Sequence, residues 1–318
     1  MHKVFIDGQV GTTGLLIQER LDQREDIELV TIDDADRKDE QIKQRIIKSA
    51  DIVILCLPDE AAKRSVALAE DAPVRFIDAS TAHRVDPAWE FGLPELGRDQ
   101  RQKIQNSKRV SNPGCWSTAF LLALRPLIDA QLVSPEADFT AHGVSGYSGG
   151  GRTMIEDYEE RAKTHPDNLW YSRPYGLQLQ HKHLPEMQAY ARLTHKPLFM
   201  PSVGHFHQGM LVNIPITHQS MDRIDSPEQV YQIFQDRYKD EPCVKVHTPN
   251  AESSLAKGFL DPQGNNDTNR IDLFVYGNSD QMLLISRLDN LGKGASGAAV
   301  QNLNLMLGVD ELTGLALS

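Results

Sequence analysis

At 318 residues, 40% of them hydrophobic and with no apolar run long enough to span a bilayer, the chain has room for two domains with sizeable cores and reads as no membrane protein. Its formal net charge of −11, from 44 acidic against 33 basic residues without an acidic tail, argues against nonspecific nucleic-acid or anionic-membrane binding, so any anionic ligand must be held locally. Cys56, Cys115 and Cys243 are odd in number and far apart, which speaks against a disulfide framework or a CxxC metal site; with an N-terminus that enters a strand pattern at once, a reducing, cytoplasmic setting is expected.

In chain order, KVFID (Lys3 to Asp7), IELVTI (Ile27 to Ile32), DIVILCL (Asp51 to Leu57) and VRFIDA (Val74 to Ala79) are short β-rich runs separated by segments with helical spacing. That alternation predicts right-handed βαβ crossovers and an α/β, doubly wound parallel sheet. After the first run, DGQVGTTG sets Gly8, Gly11 and Gly14 at GxxGxxG spacing and predicts a helix opening at Thr12. Glycines there permit a tight strand-to-helix turn and let backbone N–H groups approach a pyrophosphate, so dinucleotide binding is expected. The second run ends in Asp33 and Asp34, suited to the ribose 2′-OH of NAD; Arg37 and Lys38 follow, suited to the 2′-phosphate of NADP. All four also read as solvated loop charges, and spacing does not separate these readings.

In SNPGCWSTAF (Ser111 to Phe120), Pro113 and Gly114 predict a turn, and WSTAFLLALRPLI has the spacing of a helix buried along one face. Cys115 therefore falls at a helix N-terminus, where the macrodipole favours thiolate and N–H groups can stabilise an oxyanion. Cys56 and Cys243, set in apolar runs, read as core packing.

From about Ala137 the runs FTAHGVSG, PLFMPSVG, MLVNIPI, CVKVH, IDLFVYG and MLLISRL crowd together, which predicts a mixed or antiparallel sheet in a second, α+β domain. Between them, HKHLPEM offers His181 and His183 as acid/base partners for a thiolate, ahead of a helix predicted from Pro185; as metal ligands they lack a third residue of matching spacing, and no metal is expected. GHFHQG sets His205 and His207 in an alternating strand pattern, as imidazoles without a catalytic part. SPEQVYQIFQDRYKD opens with a capping box of Ser226 and Glu228, one place short of the usual spacing. DNLGKGASG (Asp289 to Gly297) reads as a loop entering a helix N-terminus, with Lys293 as a surface charge, and GASGAAVQNLNLMLGV as a helix that packs back on the first domain.

Taken together, DGQVGTTG, FIDASTAHR, FGLPEL, SNPGCWSTA, GVSGYSGGGR, HKHLPEM and DNLGKGASGAAVQN resemble, in order and from Ile6 to Asn302, the shorter variant of the N-acetyl-gamma-glutamyl-phosphate reductase family. The resemblance implies NADPH-dependent reduction of an acyl phosphate, N-acetyl-glutamyl 5-phosphate, to the semialdehyde with release of phosphate, in arginine biosynthesis. It implies a Rossmann domain over 1–114, completed by a C-terminal helix within 293–318, and a glyceraldehyde-3-phosphate-dehydrogenase-like catalytic domain over 115–292. It makes Cys115 the nucleophile and His183 the acid/base, with His181 beside it. It gives the cofactor to Gly8, Gln9, Gly11, Thr12, Thr13 and Gly14, to Arg37, and to Asn290 at the nicotinamide end. The substrate's phosphate and carboxylate call for fixed cations, for which Arg84, Arg152 and Lys182 are the candidates, and Gly149 to Gly151 allow close backbone approach. A homodimer or homotetramer is expected; an aspartyl or unacetylated semialdehyde dehydrogenase is the alternative.

Overall fold

The computed structural model describes residues 1–318 except Val10, Asp34, Lys38 and 218–222. It divides into two compact units: Met1–Pro113 with Ala295–Leu315, and Gly114–Gly294 with Ala316–Ser318.

The first unit alternates strand and helix: β1 (His2–Asp7), α1 (Thr12–Leu21), β2 (Ile27–Val30), α2 (Glu40–Ser49), β3 (Ile52–Leu55), α3 (Asp59–Leu68) and β4 (Arg75–Asp78). Then come β5 (Glu90–Phe91), α4 (Gln100–Asn106) and β6 (Arg109–Ser111), and the strands form one parallel sheet in the order β2-β1-β3-β4-β6-β5. Every residue of β3, IVIL, is buried, because a parallel strand covered on both faces has no polar side to alternate with. One face carries Ile17 and Leu21 of α1 and Ile104 of α4; the other carries Ile47 of α2 and Ala62 of α3. Helix α9 (Gly297–Leu307) returns from the end of the chain and adds Ala299, Val300, Leu303 and Met306 to the first of these cores. Fully burying each of its larger side chains contributes roughly 1.5–3 kcal/mol. The opposite side of α9 is polar yet equally buried: Asn302 Nδ2 donates to Gly92 O at 2.9 Å, and Gln301 Nε2 to Glu95 Oε1 at 2.9 Å.

The second unit opens with α5 (Cys115–Asp129) and contains β7 (Thr140–Gly146), α6 (Gly151–Thr164), β8 (Ser172–Pro174), α7 (Leu184–Ala191), β9 (Leu198–Gly204) and β10 (Met210–Ile216). It continues with α8 (Pro227–Tyr238), β11 (Val244–Val246), β12 (Ile271–Gly277) and β13 (Met282–Leu288). The seven strands form a mixed sheet, β11-β12-β13-β10-β7-β9-β8, in which β7 and β9 run parallel, as do β11 and β12. Expected to bury one face, α5 is instead buried on every side from Trp116 to Ile128, since it meets the sheet, α7 and α8 at once. Its Pro126 cannot donate to the carbonyl of Leu122; the Tyr238 hydroxyl of α8 donates there instead, at 2.7 Å.

Four local expectations are corrected. His205 and His207 lie in the bend that carries the chain from β9 to β10 across the end of β7, not in a strand, because the N–H groups of Tyr147 and Ser148 take the carbonyls of Phe206 and His207. The capping box of α8 is closed by Gln229, one place beyond Glu228: Ser226 Oγ accepts from Gln229 N–H, and Gln229 Oε1 from Asp225 N–H. The stretch before α9 is a π-helical turn, Gly292–Ser296, that runs straight into the helix. Lys293, on that turn, is fully buried and no surface charge.

Candidate active site

In the first unit the chain leaves β1 for β2 on one side and later takes up β3 on the other, so the carboxyl ends of β1 and β3 form the topological switch point at which doubly wound sheets bind ligands. Gly8 sits there with φ of +97°, and a Cβ would lie 2.3 Å from Cys56 O, so only glycine makes the turn. A Cβ on Gly14 would stand 2.5 Å from Gly8 O, which fixes how closely α1 meets the loop. Gly11, the N-cap of α1, has no such need: the nearest atom to an added Cβ is 3.5 Å away. Its bareness leaves the approach to the first turn of α1 open, and no side chain caps that turn. Gln9, Thr12 and Thr13 are half-buried around this opening, and Arg37 is half-buried in the turn after β2. A phosphate-bearing dinucleotide fits such a cradle. Asp33 is exposed, while Asp34 and Lys38 lie outside the described residues.

Below the loop, Asp7 is buried, paired with Lys43 Nζ at 3.0 Å and bonded by Ser65 Oγ at 2.6 Å. Burial, then the carboxylates of Asp78 and Asp7, push the Cys56 thiol up to about 12, which fits the packing role read from the sequence. Arg84 also belongs to this unit, nearly buried, with Nη2 donating to Ala79 O at 3.4 Å. The His83 next to it is bonded through Nδ1 to Asp78 Oδ2 at 2.6 Å and stacked on Trp89 at 4.1 Å.

In the second unit, Cys115 is the first residue of α5, after an N-cap Gly114 in extended conformation (φ −76°, ψ 147°) that no side chain caps. The thiol thus sits at the positive end of a fifteen-residue helix. His183 is the N-cap of α7, with Pro185 in the first turn as expected, and its imidazole is buried. Two groups tie this turn to Cys115. Ser117 Oγ donates to His183 O at 3.4 Å, and Glu186, fully buried, accepts the Gly114 N–H through Oε2 at 3.1 Å while its Oε1 stands 4.0 Å from His183 Nε2.

His181 stands edge-on to His183, ring centroids 4.7 Å apart, and its Nδ1 accepts the His183 backbone N–H at 3.1 Å. Its Nε2 lies 3.4 Å from the Tyr175 hydroxyl, which also accepts from Trp116 Nε1 at 3.0 Å. Burial first, then the neighbouring Cys115, push the Tyr175 phenol above its ordinary range, against the bond from Trp116. Trp116 finds room only because Gly143 of β7 faces it: a Cβ there would be 2.2 Å from the indole. Tyr175 and Glu186 were missed in the sequence. Nothing around Tyr175 marks it, whereas Glu186 stands in the quoted HKHLPEM, three residues after His183, a spacing that could have flagged it.

Of the other expected contacts, Arg152 and Lys182 are exposed, the first in the opening turn of α6 and the second between the two histidines. Asn290 has its amide committed inside the unit: Oδ1 accepts from Gly209 N–H at 2.8 Å and Nδ2 donates to Ser148 Oγ at 3.0 Å. It braces the β9–β10 bend against the turn after β7. Beside it Gly294 packs on Cys115, where an added Cβ would come within 2.7 Å of Cys115 Cβ. Asp289 holds this stretch by accepting from Leu291 and Asp267 N–H, and burial pushes its carboxyl up against those bonds. Among the described residues there is no group of three or more His, Cys, Asp or Glu that could hold a metal ion, and no helix long and apolar enough to cross a membrane.

Comparison with known proteins places both units. Residues 14–104 match the semialdehyde dehydrogenase NAD-binding domain, and residues 115–290 the semialdehyde dehydrogenase dimerisation domain. The N-acetyl-gamma-glutamyl-phosphate reductase 2 of Nostoc sp. is 46% identical, covering 98% of this chain and 99% of its own. The N-acetyl-gamma-glutamyl-phosphate reductase of Chelativorans sp. is 45% identical, covering 96% and 98%. Among solved structures, aspartate semialdehyde dehydrogenase II of Vibrio cholerae complexed with ASA superposes with a TM-score of 0.74 over 97% of this chain and 98% of that one, at 16% identity. The aspartate semialdehyde dehydrogenase of Francisella tularensis gives 0.75 over 96% and 100%, also at 16%. At that identity the likeness is one of fold.

Proposed function

The chain belongs to the N-acetyl-gamma-glutamyl-phosphate reductase family, and from that premise we propose a mechanism in which Cys115 is the nucleophile and His183 the acid/base. The protein is an NADP-dependent oxidoreductase that reduces N-acetyl-L-glutamyl 5-phosphate to N-acetyl-L-glutamate 5-semialdehyde, with phosphate release, in arginine biosynthesis. The observation that carries the residue assignment is the placement of Cys115 at the uncapped start of α5, tied through Gly114 and Glu186 to the turn that presents His183.

The Cys115 thiolate attacks the acyl carbon, the C–O bond to phosphate breaks, and phosphate leaves with the electron pair, giving a thioester. NADPH, when bound, supplies the hydride that reduces it. The N–H groups of the first turn of α5, which no side chain caps, stabilise the carbonyl oxygen as it gains charge at each tetrahedral stage. His183 donates a proton to the thiohemiacetal oxygen and takes it back as the C–S bond breaks, so aldehyde leaves and the thiolate is restored. His181 is bound through both ring nitrogens, which suits a support for His183 better than a proton carrier. Gly8, Gln9, Gly11, Thr12, Thr13 and Gly14 take the pyrophosphate and Arg37 the 2′-phosphate. Exposed Arg152 and Lys182, with Arg84, are the cations for the substrate's phosphate and carboxylate.

The chain assembles through its dimerisation domain, as a homodimer or homotetramer in the cytoplasm. The sheet face opposite α5 and α8 supports this: Leu198 and Met200 are 45% and 42% exposed there, next to partly covered Val144, Leu283 and Tyr276.

The test is phosphate-dependent NADP reduction with N-acetyl-glutamate 5-semialdehyde beside aspartate semialdehyde. A clear preference for the first is expected; preference for the second overturns the substrate.

A further inference from the structure

We propose that Phe259, raised on the tip of a two-residue hairpin, is the anchor through which a second copy of this chain docks, seated on the apolar patch that Val144, Leu198 and Met200 form on its partner. The inference rests on the assembly through the dimerisation domain given above, whose matched residues 115–290 hold both tip and patch.

The chain between β11 and β12 turns back at Lys257 and Gly258, both at positive φ (52° and 85°), as a tight two-residue hairpin requires. Across it Ala256 and Phe259 exchange backbone hydrogen bonds of 2.8 and 3.0 Å. The arms of the hairpin are pinned to the sheet. Leu260 packs against Leu211, Phe274 and Ile285, the Asp261 carbonyl accepts from Arg287 Nη1 at 3.2 Å, and the Ala251 carbonyl accepts from the Tyr276 hydroxyl at 3.2 Å. Ser254 Oγ is bonded to His247 Nδ1 at 3.1 Å, and that imidazole stacks on Phe274. Phe259 is left outside this packing at 76% exposure; among the described residues, Met1 alone is a more exposed large hydrophobic. A ring held out on a braced turn has little freedom left to lose when it is bound.

The same sheet face supplies a seat. Opposite α5, strand register lines up Phe274, Ile285, Asn213, His142 and Met200 in one row across β12, β13, β10, β7 and β9. The hairpin covers the β12 and β13 end of that face. At the β7 and β9 end Leu198, Met200 and His142 are exposed, and Val144 is partly covered where it meets the cluster under Leu260. Single apolar residues on a surface are ordinary, but a patch continuous with a buried cluster marks a contact. Methionine is adaptable in shape and its sulfur is attracted to aromatic edges, so Met200 suits a phenyl ring.

A second copy of the chain satisfies tip and patch together. Two copies related by a twofold axis must present the same surface to each other. An axis running across the strands would set hairpin against hairpin and hold the sheets apart. An axis along β10, the middle strand of the order β11-β12-β13-β10-β7-β9-β8, sets the hairpin end of each copy against the bare end of the other. Each Phe259 then meets Leu198 and Met200 of the opposite copy. The five central strands have seven residues each. At about 4.8 Å between strands and about 3.3 Å per residue they cover about 550 Å², the order of the roughly 800 Å² that each partner gives to a stable complex.

The test uses the full-length protein. Wild type and Phe259→Ser are each mixed as ordinary and isotope-labelled copies, and the appearance of mixed multimers is followed by native mass spectrometry. Loss of the anchors should speed subunit exchange by roughly tenfold or more, or leave the variant monomeric, because interface substitutions act mainly on dissociation. Phe259→Leu, which keeps an apolar tip, should exchange more slowly than Phe259→Ser. Exchange in Phe259→Ser within about twofold of wild type overturns the anchoring role. In a second arm p-benzoylphenylalanine replaces Phe259 and the mixture is irradiated. Crosslinks between ordinary and labelled copies at Val144, Leu198 or Met200 are expected; crosslinks that lie elsewhere, or stay within one copy, overturn the seat. Should the serine variant not fold, the crosslinks decide alone. A wild-type protein that stays monomeric refutes the assembly itself, whereas a multimer with unchanged exchange and no such crosslink refutes only the part given to Phe259.

Discussion

The backbone N–H of His183 donates to Nδ1 of His181 at 3.1 Å. That bond engages the Nδ1 lone pair, so a neutral His181 carries its proton on Nε2, facing the Tyr175 hydroxyl at 3.4 Å. His183→Asn should therefore lower kcat by about 10²–10⁴-fold and remove a limb of the pH–rate profile. His181→Asn should cost about tenfold and leave both limbs in place, because it removes a support and not the acid. Loss of the limb in the His181 variant alone would reverse the two roles.

Cys115→Ser should abolish turnover while leaving NADPH affinity near wild type, as measured by fluorescence titration; surviving turnover would end the covalent mechanism. Alkylation should also be selective. A Cys56 thiol pushed up to about 12 is ionised to only about 10⁻⁴ at pH 8, so iodoacetamide at that pH should label the Cys115 peptide and spare Cys56 in mass spectra.

Two of the loop glycines, Gly8 and Gly11, should separate by mechanism. Gly8→Ala forces a side chain into φ +97° against Cys56 O, and should destabilise the first unit by about 1–3 kcal/mol along with cofactor binding. Gly11→Ala has room, with 3.5 Å to the nearest atom, so its melting temperature should hold while the NADPH KM rises by roughly tenfold or more. Equal loss of stability in both would mean that Gly11 is a packing glycine.

Tyr238→Phe leaves the Leu122 carbonyl, already deprived of a helical partner by Pro126, buried without a donor. A loss of about 1–3 kcal/mol is expected in denaturant unfolding. In a Pro126→Ala background, where the backbone N–H is restored, the same substitution should cost clearly less.

Asp272 gives the second unit an acid-sensitive point. Burial alone would raise its carboxyl, but hydrogen bonds from His247 and Arg287 and the charge of Arg270 hold it well below the usual carboxylate range. Because the folded value is depressed, its stabilisation is complete above the unfolded value near pH 4 and is lost as pH falls below it. Asp272→Asn should cost about 3–5 kcal/mol at pH 7, through guanidinium groups left without their carboxylate, and should flatten the acid limb of the stability curve. A wild-type acid limb in the variant would point to other carboxylates.

Much of the fold could be read because its signals are local. The β1, β3 and β4 runs, the opening of α1 at Thr12 and the start of α5 at Cys115 follow from apolar runs, glycine spacing and a Pro-Gly turn, each set within a few neighbouring residues. The misreadings came where a distant partner overrode local pattern. His205 and His207 alternate like a strand, yet the turn after β7 claims their loop's carbonyls. Lys293 looks like a surface charge until the turn that carries it is enclosed.

The sequence by itself determined the two kinds of sheet, the glycine cradle and the placing of a cysteine at a helix start, because backbone conformation and hydrophobic period are properties of short segments. Only the tertiary structure decided which groups gather around that cysteine. His181 and His183 are equivalent letters in HKHLPEM; the fold sets the Nδ1 of one against the backbone N–H of the other, and carries Glu186 out of its own helix to the Gly114 N–H, 72 positions away. Hydrogen bonds between elements are settled by which donors and acceptors are buried together, a matter of packing that no window of sequence contains.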